Sequence, residues 1–154
     1  MEQEADFRKQ IMEEYKTSVV PLLNYLPWLE QHSGQKMYSV YRGDGIQENS
    51  LSFPVYDGTL MRFLKQAEKT TLMDRNYRYV YTRNRIKTHE DERNLIQKAT
   101  WRDWNNLRGI LSKYVMGGRT KSVLWNEAVK EGIFLLTLKQ MKEIIEFWDK
   151  PIGQ

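Results

Sequence analysis

The chain has 154 residues, 40% of them hydrophobic and 29% charged, with 5 Trp, 9 Tyr, 5 Phe and no Cys. That is material for one self-sufficient globular domain spanning residues 1–154, and it excludes disulfides and thiolate metal ligands. A net charge of +4 is too small to choose a partner class, but it is unevenly spread. Between Arg62 and Lys121 there are 15 Lys or Arg against 6 Asp or Glu, which leaves the rest of the chain acidic.

The opening Met1-Glu2-Gln3-Glu4-Ala5-Asp6 is acidic, where a secretory signal needs a positive start and an apolar stretch. Apolar runs such as Ile133-Phe134-Leu135-Leu136 fall far short of the ~20 residues that span a bilayer. A cytoplasmic location with no membrane partner is expected.

In chain order, Phe7, Ile11 and Tyr15 are spaced for one face of a first helix over 2–17. Pro21 suits the first turn of a second helix, with Leu22, Leu26 and Leu29 as its buried stripe, Pro27 as a disturbance and Gly34 as its stop. Met37 to Tyr41 is rich in strand formers. Gly43-Asp44-Gly45 then supplies a turn, and Leu51, Phe53 and Val55 alternate, so a small antiparallel hairpin is expected, with Pro54 on its edge.

The helical period returns at Leu60, Phe63, Leu64 and Ala67, capped by Asp57. The segment 73–87 reads as a third strand or a long loop, and the sequence leaves both open. Thr88 caps a helix carrying Leu95, Ile96 and Ala99. Thr100 with Asp103 repeats the cap ahead of Trp104, Leu107, Leu111 and Tyr114. Gly117-Gly118 suits a left-handed helix end. Leu124, Trp125, Ala128 and Val129 mark the next helix, closed by Gly132. Thr137 with Gln140 forms a capping box for a last helix that Pro151 stops. The fold class is mainly α (α+β), a compact helical bundle carrying a small antiparallel β element in its first half.

Chemistry-bearing patterns are sparse. Val55-Tyr56-Asp57-Gly58-Thr59 resembles the Asp-x-Asp-Gly-Thr motif of the haloacid dehalogenase superfamily, but Val55 stands where that motif has its nucleophile. Asp57 is therefore read as a helix cap. His32 and His89 are the only histidines, and neither lies in a metal-ligand spacing. Glu90, Asp91 and Glu92 point in different directions from a helix and suit its first turn electrostatically. No nucleophile elbow, phosphate loop or dinucleotide motif occurs, so no catalytic residue, metal ligand or cofactor is assigned. An acid and a base brought together only by folding would escape such a reading.

One stretch stands out. Arg75, Arg78, Arg83, Arg85 and Lys87 occur with no acid among them, interleaved with Tyr77, Tyr79 and Tyr81. In an extended chain the three tyrosines share one face. Basic side chains neutralise phosphates and tyrosine rings stack on unpaired bases, so nucleic acid or another polyanion is the specific partner expected, with Arg119 and Lys121 extending the patch. The plainer alternative puts the rings over a core and the arginines in solvent. A protein partner or a homo-oligomer draws on the same residue types, or on the Phe7, Ile11 and Tyr15 face. A helix-turn-helix drawn through 101–131 lacks polar residues on its second helix to read bases.

Met73-Asp74-x-Asn76-Tyr77, Ile110-Leu111 leading to Gly118-Arg119, Leu124-Trp125, Ala128 and Gly132-Ile133-Phe134 resemble an uncharacterised bacterial family, a domain of unknown function, over residues 60–148. The resemblance implies no activity, cofactor or site residues.

Overall fold

Two helices form the centre, and their sequences explain why. In α6 (Trp104–Gly117), Trp104, Leu107, Ile110, Leu111, Tyr114 and Val115 are all buried. In α8 (Ile133–Asp149), Ile133, Phe134, Leu138 and Met141 are fully enclosed. Each such side chain is worth about 1.5–3 kcal/mol on burial. The computed structural model describes residues 2–35, 38–41 and 53–149. The chain is mainly helical throughout these residues.

Around this centre pack α1 (Glu2–Leu22), α2 (Leu26–His32), α3 (Gly58–Glu68), α4 (Tyr77–Arg83), α5 (His89–Lys98) and α7 (Val123–Lys130). The helix α8 lies against α1, α2, α5, α6 and α7, and α6 against α3, α4, α5 and α7. Phe63 of α3 meets Tyr25 and Phe134 edge-on, at centroid distances of 5.3 and 5.0 Å. Two four-residue strands, β1 (Tyr38–Tyr41) and β2 (Phe53–Tyr56), pair antiparallel with Tyr38 opposite Tyr56 and Tyr41 opposite Phe53. The turn expected at Gly43-Asp44-Gly45 and the stop expected at Pro151 lie outside the described residues.

Several boundaries differ from the sequence expectation. The first helix runs on to Leu22 with Pro21 inside it, and a 3-10 turn, Leu23–Tyr25, joins it to α2. Pro27 is in the first turn of α2, where a backbone donor has no helical acceptor to lose. Thr137 does not cap α8. It lies one turn inside, donating to the Ile133 carbonyl at 2.7 Å, while Gln140 donates to the Ala99 carbonyl at 2.8 Å. Gly118 has an ordinary helical φ of −64°, so it is not a left-handed stop. Its reason is space: a Cβ there would lie 2.0 Å from Trp125 Nε1. Gly34 and Gly132 do take positive φ, +87° and +73°.

The caps follow expectation more closely. Asp57 accepts from the Thr59 amide at 2.7 Å, as its helix-cap assignment requires. Thr88 and Asp91 close a capping box at α5. The amides of Lys87 and Thr88 hold the Asp91 carboxyl below its ordinary range.

Candidate polyanion surface and a buried carboxylate

The segment expected as strand or loop over 73–87 contains a helix, α4. Its entry is built by hydrogen bonds from elsewhere. The Asp74 amide donates to Ser112 Oγ at 2.8 Å, and Asp74 Oδ1 accepts from the Asn76 amide at 2.8 Å. Arg108 donates to the carbonyls of Thr71, Leu72 and Met73 at 3.1, 3.2 and 3.4 Å. Val80 then buries against Gly109 of α6, where a Cβ would sit 2.6 Å from Val80 Cγ2. The helix ends in a Schellman arrangement: the Ile86 amide donates to the Tyr81 carbonyl at 3.0 Å and the Arg85 amide to Thr82 at 3.2 Å. Arg85 occupies the left-handed position of this turn with a φ of +54°.

Helical geometry separates the tyrosines that an extended chain would align. Residues 77 and 81 lie near one side and residue 79 opposite them. Tyr79 is 65% exposed. Tyr77 is half-buried beside Gly117, and Tyr81 turns inward with its hydroxyl donating to Glu92 Oε2. The three therefore do not form a stacking row.

The cations divide in the same way. Arg75, Arg78, Arg83, Arg85 and Lys87 are exposed. Arg83 donates to Asn106 Oδ1 at 2.9 Å and lies 5.6 Å over the Tyr79 ring. Arg119 is committed elsewhere: its Nε donates to Glu68 Oε1 at 2.6 Å and its Nη2 to Oε2, which holds its charge more firmly than usual. Lys121 is exposed beyond it.

On the inner side of α4 lies a group that the sequence reading missed. Glu92, 1% exposed, accepts from Tyr81, from Tyr114 at 2.7 and 2.8 Å, and from His89 Nδ1 at 2.8 Å. Lys113 Nζ stands 3.7 Å from the same carboxylate and 4.5 and 5.0 Å from the Tyr81 and Tyr114 ring centroids. Burial, then the Glu92 charge and its hydrogen bonds, push both tyrosine hydroxyls far above their ordinary pKa. One carboxylate thus ties α4, α5 and α6 together. The available signal was its place at helical spacing with the buried Ile96 and Ala99, masked by the acids Glu90 and Asp91 beside it.

Glu92, an acceptor, sets the proton of His89 on Nδ1 and turns Nε2 toward Glu127, 3.8 Å away. A carboxylate-oriented imidazole is half of a general-base arrangement. The neighbouring hydroxyl, Thr88 Oγ1, is already the cap acceptor for the Asp91 amide at 3.1 Å. The recess over the cluster is about 120 Å³, below the roughly 300–1,000 Å³ of small-molecule sites. The cluster is best accounted for as a fastening.

A larger recess of about 470 Å³ lies away from α4, between Trp101, Ile144 and Phe147. Of the expected apolar face on α1, Tyr15 stacks on Trp104 at 5.0 Å and is packed into the fold, Ile11 is half-buried, and the Phe7 side chain lies outside the described residues. Among the described residues no group of three His, Asp or Glu is placed to hold a metal ion, and no helix is long and apolar enough to cross a membrane. Comparison with family models, curated proteins and solved structures found no match to the chain.

Proposed function

We propose that the chain is a cytoplasmic domain of the uncharacterised bacterial family it resembles, acting by binding rather than catalysis, and that α4 with its flanks contacts nucleic acid or another polyanion. One observation carries this. Arg75, Arg78 and Arg85 are exposed, none pairs with a described carboxylate, and no acid occurs anywhere from Arg75 to Lys87. Unpaired cations on a helix pinned from behind and on its flanking turns attract anions without first breaking a salt bridge. The test is a fluorescence anisotropy titration of a labelled oligonucleotide across a salt series. Replacing Arg75, Arg78 and Arg85 by Ala should weaken binding and flatten the salt slope by about 2, at roughly 0.7 per lost phosphate contact on a single strand. Binding that ignores the triple change sinks the reading.

Self-association is a second reading, favoured by Phe147, 64% exposed on the wall of the larger recess. Light scattering after gel filtration that gives a monomer at every concentration would remove it.

A further inference from the structure

Tyr79 offers more than charge. It is the most exposed of the large hydrophobic side chains described, at 65%, and Arg83, one turn further along α4, is exposed on the same side of the helix, with exposed Arg78 beside it in sequence. An aromatic ring left in water costs stability that burial would recover, and this ring is not drawn inward as its neighbour Tyr81 is. The Arg83 guanidinium lies 5.6 Å over its centroid while donating to Asn106. One ring face is therefore backed by a cation that Asn106 holds in place.

The form of the ligand follows from how α4 is seated. The helix has seven residues, a length of roughly 10 Å. Its inner side is spent on Gly109 and on the Glu92 cluster. A helix that reads duplex DNA must enter the major groove and present several side chains to base edges. This one lies flat on α6 and presents a single ring flanked by cations. That arrangement suits a strand whose bases are free to turn out and stack, with its phosphates on the arginines.

Resting on the polyanion reading above, we propose that Tyr79 and Arg83 form a stacking platform for one unpaired base, and that the preferred ligand of α4 is single-stranded nucleic acid. Duplex DNA and sulfated polysaccharide meet the arginines alone.

The experiment uses the full chain in anisotropy titrations with three labelled probes: a mixed-sequence single strand, a hairpin duplex of equal phosphate count, and heparin. The variants are Tyr79→Ala, Tyr79→Phe and Arg78→Ala, with far-UV circular dichroism as the fold control, which exposed positions should pass. A base stacked on one aromatic ring is worth about 1–3 kcal/mol, or roughly 5- to 150-fold in affinity. Tyr79→Ala should lose that factor on the single strand and leave the other two probes unchanged. Tyr79→Phe should keep it, and Arg78→Ala should weaken all three. If Tyr79→Ala changes nothing while Arg78→Ala still weakens every probe, the platform is overturned and the polyanion reading stands. Wild-type protein that binds no probe at low salt overturns both.

Discussion

Val80 and Gly109 set the separation of α4 from the centre of the molecule. A Cβ on Gly109 would lie 2.6, 2.8 and 3.0 Å from three carbons of the Val80 side chain. The glycine is mid-helix in α6, where alanine would otherwise gain up to about 1 kcal/mol in propensity. Close approach therefore outweighs propensity at this position. Gly109→Ala should force α4 outward and lower stability by about 1–3 kcal/mol as an overpacking change, read from chemical denaturation. A neutral or stabilising result would mean that α4 moves freely on α6.

Glu92 holds α4 from a second direction. Removing its carboxylate leaves the Tyr81 and Tyr114 hydroxyls, His89 Nδ1 and the Lys113 ammonium without their shared acceptor. Glu92→Ala should cost about 2–5 kcal/mol, because it orphans two tyrosine hydroxyls at roughly 1–3 kcal/mol each. Tyr81→Phe removes one donor only and should cost roughly 1–2 kcal/mol. Equal effects of the two changes would contradict the convergence on one carboxylate.

The same cluster makes the fold sensitive to alkali. Tyr81 and Tyr114 have hydroxyls raised by burial and by Glu92, the second also by Glu127 and Glu131. In the unfolded chain both titrate near 10. Above that pH the unfolded state gives up protons that the folded state keeps, so stability falls as pH rises. Denaturation midpoints should hold steady up to about pH 10 and drop beyond it. In a spectroscopic titration, part of the tyrosinate signal should appear only with unfolding. Smooth titration of every tyrosine in the folded protein would refute it.

What the sequence disclosed and what it hid divide along a physical line. Helix α3 was legible because Leu60, Phe63, Leu64 and Ala67 repeat at helical spacing behind an Asp57 cap. The exposure of the basic residues at 75–87 was legible from equally local information, since no acid interrupts them. The helix within them was not, because Tyr-Arg-Tyr-Val-Tyr alternates as a strand does. It is helical because Val80 has Gly109 to pack on and Arg108 holds the carbonyls ahead of it. Those causes lie some 30 or more residues away in sequence. Glu92 was hidden likewise, since its donors come from α4, its own helix and α6.

On the proposed polyanion reading, Arg85 sets stability against binding. It takes φ +54° in the turn that ends α4, a conformation that costs a residue with a Cβ about 1–2 kcal/mol and that glycine adopts freely. It is exposed and makes no ion pair with a described residue. The Schellman hydrogen bonds of that turn support the conformation, and glycine would keep them without the Cβ cost. Arg85→Gly should raise the unfolding free energy by roughly 1 kcal/mol. It should also weaken polyanion binding and reduce the salt slope by about 0.7–0.9, one phosphate contact. Opposite signs on the two measurements place Arg85 in the binding surface, whereas greater stability with unchanged affinity would remove it and leave Arg75 and Arg78 to carry the contact.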